Sequence, residues 1–173
     1  MTWWHTALFD SCSLITLDKM IQVSPGLERH FPPSVTVIKD SLEMDGVYSG
    51  TISRLSERIN RMDSIGGAVL ENILAKIQVP RGLSEVDRII LANAIHFKMS
   101  VVTADRKMAI TLRRLGTEVS NMALLLKGFV LEKFIDSREV ERILQELANR
   151  GEILIHGSDL SWEALSQYEF PRR

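Results

Sequence analysis

From Ser84 to Gly116 the chain reads as an amphipathic helix, a short apolar strand and a second helix, joined by links of only a few residues. Ile90, Leu91 and Ala94 recur at helical spacing, Val101-Val102-Thr103 is a compact β-branched run, and the helix from Arg106 to Leu115 stops at Gly116. A helix that feeds a strand that feeds a helix is the repeating unit of parallel sheets, because parallel neighbours need a long crossover between them.

The rest of the chain extends that alternation. Trp3 to Phe9 reads as a first strand, Ser13 to Ile21 as a helix, and the β-branched run Val35 to Ile38, opened by Pro32-Pro33, as a second strand. Between Ser53 and Ile77 two helices are expected, the first with Ile52, Leu55, Ile59 and Met62 on one side and the second carrying Ile65, Val69, Leu70, Ile73, Leu74 and Ile77. Thr117 to Val119 reads as a strand, Met122 to Lys127 and Ser137 to Asn149 as helices, Glu152 to Ile155 as a last strand and Trp162 to Tyr168 as a final helix. The expected fold is α/β: a mainly parallel central sheet with helices on both faces, in three layers.

With 173 residues the chain suits one hydrophobic core, so a single domain over 1–173 is expected, with 130–173 as a C-terminal helical extension. Its apolar runs stop far short of the roughly 20 residues needed to cross a bilayer. The acid Asp10 comes too early for a secretory signal, so the expected location is cytoplasmic and away from membranes. Cys12 is the single cysteine, which excludes an internal disulfide and zinc fingers. A net charge of −1, from 21 basic and 22 acidic residues, means that any contact with nucleic acid must be local.

In a parallel sheet ligands gather at the carboxyl ends of the strands. Asp10 follows the first strand, Glu43 the second and Asp105 the Val101–Thr103 strand, while Asp87 opens the helix before it. Each has a purely local explanation, since Asp is a favoured N-cap, acids in a first turn offset the helix dipole, and Ser84-x-x-Asp87 is close to a capping box. Asp87 also shares a helix side with Ile90, Leu91 and Ala94, whereas Glu85, Arg88 and His96 mark the solvated side. A carboxylate on a core-facing stripe is costly without a partner, and a bound cation would supply one. Magnesium and manganese suit a few convergent carboxylates, and metal held in this way activates water and neutralises charge during phosphodiester hydrolysis.

The stretch Gly82-Leu83-Ser84-Glu85-Val86-Asp87-Arg88-Ile89-Ile90-Leu91-Ala92-Asn93-Ala94, followed by Val101-Val102-Thr103-Ala104-Asp105-Arg106, resembles the C-terminal half of a PIN domain, and Leu8-Phe9-Asp10-Ser11-Cys12-Ser13-Leu14-Ile15 resembles that family's first strand and leading aspartate. The resemblance implies a PIN-like domain whose metal-site acids are Asp10, Asp87, Asp105 and, as the best match to the family's glutamate, Glu43, with Asp40 and Asp45 as neighbours able to take its place. Cys12 stands where family members often carry Asn, Ser or Thr. It implies a Mg2+- or Mn2+-dependent ribonuclease acting on RNA, and the family includes VapC-type toxins silenced by an antitoxin protein. The alternative is a PIN-fold interaction module without turnover.

Arg54, Arg58 and Arg61 recur at helical spacing, either as a ridge for phosphates or as a solvated face paired with Glu57. Arg106 and Lys107, just after Asp105, would reach the scissile phosphate or balance the acids. His5, His30, His96 and His156 lack metal-ligand spacing. Trp3, Trp4, Trp162, Tyr168 and Phe170 would build a homodimer or antitoxin surface, or pack a C-terminal helix onto the core.

Overall fold

The computed structural model describes residues 6–31, 34–48 and 50–170. Five parallel strands form one sheet in the order β3-β2-β1-β4-β5, with β1 at Leu8–Phe9, β2 at Val35–Ile38, β3 at Ile59–Met62, β4 at Val101–Val102 and β5 at Val119–Ser120. The helices are α1 (Ser11–Val23), α2 (Lys39–Met44), α3 (Gly67–Lys76), α4 (Glu85–Phe97), α5 (Arg106–Arg114), α6 (Met122–Leu131), α7 (Ser137–Asn149) and α8 (Trp162–Ser166). The α/β fold with a parallel sheet between helices is therefore as expected. Trp3, Trp4, His5 and the Pro32-Pro33 pair lie outside the described residues, as does the front of the expected first strand.

Side chains on a strand alternate between faces, so the central strands feed two cores. Phe9, Val35, Val37 and Val102 join α1, α6 and α7 through Leu14, Leu17, Leu126, Phe129, Ile143 and Leu147. Leu8, Ile38, Val101 and Val119 join α4 and α5 through Ile90, Leu91, Met108 and Leu112. Burial on both faces is why the central strands β1 and β4 are wholly apolar. The segment expected as an extension contributes to the first core, since Val140, Ile143, Leu144 and Leu147 of α7 are all buried in it.

Three expectations are corrected. Residues 59–62 form strand β3 and not the end of a helix: Ile59 pairs with Val35 and Met62 with Ile38, so pairing with β2 overrides a local spacing that fits either structure. Asn60 and Arg61 are exposed on this edge strand, where polar side chains discourage further pairing. The helical ridge of Arg54, Arg58 and Arg61 accordingly does not form, and Arg58 pairs with Glu28 at 3.2 Å instead of joining Glu57. Glu152 to Ile155 is not a strand: Gly151 turns the chain at φ +81, and the segment runs over α1, with Ile155 buried in the first core.

The aromatic tail packs inward. Trp162 and Tyr168 lie against the first core and Phe170 against the second. His30 stacks on Phe134 with ring centroids 4.3 Å apart. Among the described residues no helix is long and apolar enough to cross a membrane.

Candidate functional site

In the order β3-β2-β1-β4-β5 the chain moves outward from β1 through β2 and then returns to its other side at β4, so the crevice at the carboxyl ends of β1 and β4 is the switch point where ligands of open α/β sheets bind. Asp10 leaves β1 at this crevice. The backbone ladder continues past Phe9 through an Asp10 N–H bond to the Val102 carbonyl at 3.1 Å, and a Thr103 N–H bond to the Ser120 carbonyl carries it on to β5.

Asp10 is only 6% exposed. Its Oδ1 caps α1 by accepting from Ser13 N at 2.6 Å, and its Oδ2 accepts from Ala104 N at 3.3 Å, across the crevice. Burial raises the carboxyl above its ordinary value, and hydrogen bonds, with that from the Thr103 side chain first, oppose this only in part. None of the ion pairs among the described residues includes Asp10, so a dry carboxylate here lacks a positive partner.

Asp105 stands one residue beyond Ala104 and caps α5, Oδ1 accepting from Met108 N at 2.6 Å. Its own N–H donates to Thr103 Oγ1 at 2.9 Å, and the neighbouring Ala104 N–H reaches Asp10, so the backbone after β4 touches both aspartates. Asp87 completes a capping box with Ser84, its Oδ2 accepting from Ser84 N at 3.1 Å and Ser84 Oγ at 2.7 Å. It is half-buried on the helix side shared with the fully buried Ile90, Leu91 and Ala94, as the spacing predicts.

Cys12, in the first turn of α1, feels the charge of several of these acids. Burial is the main cause that raises its thiol above the ordinary value, and the charges of Asp10, Asp45, Asp87 and Glu152 add to it. The thiol is thereby held protonated, the reverse of what a nucleophilic cysteine needs. Glu43 is exposed on α2 without a described side-chain hydrogen bond and is not among the charges felt at Cys12, whereas Asp45, the equally exposed residue that caps the end of that helix, is. Asp40 is likewise exposed. The carboxylates of Asp10, Asp45 and Asp87 are thus near enough for their charge to be felt at Cys12, and Glu43 is not among the charges that act there.

Glu152 escapes a reading of the sequence. It follows the end of α7 and returns to α1, where Oε2 accepts from Thr16 Oγ1 at 3.1 Å and Oε1 pairs with Lys19. No local pattern marks a contact that spans this much chain. Lys107, a candidate for phosphate, donates to the Arg81 carbonyl at 3.3 Å.

A cleft of about 240 Å³ adjoins the crevice, lined by Cys12, Thr16, Ala104, Asn121, Met122 and Glu152, among others. A larger cavity of about 450 Å³ lies along β5 between Arg113 and Gly128 and holds none of the candidate acids. Among the described residues no three His, Cys, Asp or Glu side chains stand close enough together to hold a metal ion. The donor chemistry nevertheless suits a hard cation, because all the candidate ligands are carboxylates and the capping bonds of Asp87 and Asp105 each engage one oxygen, leaving the second without a described hydrogen bond.

No protein-family model matches this chain, and comparison with curated proteins likewise finds no match.

Proposed function

We propose that the chain is a divalent-metal-dependent ribonuclease that hydrolyses RNA phosphodiester bonds at the crevice between β1 and β4. The observation that carries the reading is Asp10: a buried carboxylate at the switch point of a parallel sheet, with a raised pKa and no positive partner among the described ion pairs. Cation binding relieves such a burial cost. Asp45 and Asp87, whose charges are felt at Cys12, and Asp105, one residue beyond the Ala104 N–H that holds Asp10, are the other acids we assign to the centre.

Magnesium or manganese would supply the Lewis acidity that activates water and offsets the charge gathering on the phosphate. The chain's own part is positional. The Ser13 and Ala104 N–H groups fix the Asp10 carboxylate, the α5 cap fixes Asp105, and the Ser84 box fixes Asp87. The test is cleavage of a labelled RNA by the purified chain with magnesium or manganese, with and without chelator, beside Asp10→Asn and Asp105→Asn. Cleavage that depends on metal and is lost in both folded variants supports the reading; metal-independent cleavage, or variants as active as the parent, ends it.

One observation favours a second reading, a PIN-like module without turnover. Asp10, Asp87 and Asp105 each accept a hydrogen bond at the start of a helix, so helix capping alone accounts for their placement. On that reading magnesium has no effect on the melting temperature.

A further inference from the structure

The cleft beside Asp10 has features that metal binding leaves unexplained. Its walls combine apolar groups from Ile15, Met122, Ile153 and Leu154 with the carboxylate of Glu152. Ile153 is 66% exposed at this cleft and so presents apolar surface to whatever enters it. Glu152 is held on both sides, by Thr16 at Oε2 and Lys19 at Oε1, and its side chain is only 25% exposed. A carboxylate offers about four lone-pair sites, so each oxygen keeps one available after these contacts. At about 240 Å³ the space falls below the roughly 300–1,000 Å³ of sites for drug-sized ligands, which suits one flat ring system.

We propose that this cleft seats a guanine base of the RNA, with Glu152 accepting from the base's N1–H and 2-amino groups. This rests on the ribonuclease reading above. Guanine is the RNA base that presents two adjacent N–H donors on one edge, the complement of an acceptor-only carboxylate. Uracil sets its single N–H between two carbonyls, and adenine and cytosine place a ring acceptor beside their amine. Single-stranded bases are commonly recognised by packing of their faces and by hydrogen bonds at the Watson–Crick edge; here aliphatic walls would cover the ring faces and the fixed carboxylate would meet the edge. The cleft borders the reacting crevice directly: Ser13 and Ala104 line it and also donate their N–H groups to Asp10.

Two measurements test this on the full chain. Cleavage of unstructured oligonucleotides that contain one guanosine is compared with cleavage of matched ones that contain none, and guanosine monophosphate is titrated against uridine, adenosine and cytidine monophosphates by calorimetry. We expect guanine to be favoured by roughly tenfold to a hundredfold in both, the usual scale of bidentate base readout, and Glu152→Gln to reduce both ratios to within about threefold of unity. The ratio is the readout, so a change in overall rate does not bear on it, and the wild-type titration needs no variant. A preference for another base, no preference, or a guanine preference that survives in folded Glu152→Gln overturns the assignment. Cleavage without preference rejects the base site and leaves the nuclease standing; Glu152-dependent guanine binding without any cleavage keeps the base site and rejects the nuclease.

Discussion

The backbone N–H of Ala104 donates to Oδ2 of Asp10 across 3.3 Å, tying the exit of β4 to the exit of β1. Because that bond and the one from Ser13 hold a buried carboxylate in place, the electrical cost of ionising Asp10 falls on the folded state. Its folded pKa lies above the ordinary value of 3.8, so its contribution to stability is fully present below that value and is lost as pH rises through the folded pKa. In chelator, the melting temperature of Asp10→Asn should therefore gain on that of the parent as pH increases from about 4 to 7. A gap that stays constant or moves the other way contradicts a buried, cation-free Asp10.

A cation beside Asp10 reverses this cost. Magnesium or manganese at about a hundredfold excess over its dissociation constant should stabilise the parent by about 2.7 kcal/mol, roughly 5–10 °C in melting temperature for a chain of this size. The shift should vanish in Asp10→Asn. Differential scanning fluorimetry across a metal series checks this and separates the nuclease from the inactive module.

The position of the fourth acid separates Glu43 from Asp45. Both side chains are exposed, but only the Asp45 charge is among those felt at Cys12, so Glu43→Ala should change cleavage by no more than about threefold, whereas Asp45→Asn should lower it by about tenfold or more, in the range seen when support for a metal site is removed. Initial rates on one RNA decide between them, and the reverse order restores Glu43.

A second buried carboxylate has a structural task. Asp18 is fully buried on α1, where Oδ1 accepts from Arg54 N at 2.7 Å and Leu55 N at 2.8 Å and Oδ2 accepts from Gln22 Nε2 at 2.7 Å. These bonds pin the turn before β3 to the first core. Asp18→Ala leaves two backbone N–H groups without acceptors and should cost about 2–6 kcal/mol in urea unfolding, since each such group costs roughly 1–3 kcal/mol. Glu57→Ala, at an exposed site close by, should stay within about 0.5 kcal/mol.

Much of the framework was legible in local residue order. The helix from Ser84, the strand at Val101 and the helix from Arg106 all appear close to where their spacing puts them, because helical hydrogen bonds and capping join residues three or four apart. The cap roles of Asp10, Asp87 and Asp105 were readable for the same reason. Strand β3 was not, since Ile59 and Met62 satisfy a helical spacing as well as a strand and only pairing with β2 separates the two.

Distance along the chain marks where that legibility stops. From residue order alone follow the alternation of helices and strands and the placing of acids at element ends, features set by neighbours within a turn or two. Tertiary packing alone decided that the Ala104 N–H reaches Asp10, that the charges of Asp45 and Asp87 are felt at Cys12, and that Glu152 meets Thr16. Each of these depends on how separate segments cross at the sheet's edge, and burial and charge act through space without regard to how far apart two residues lie in the chain.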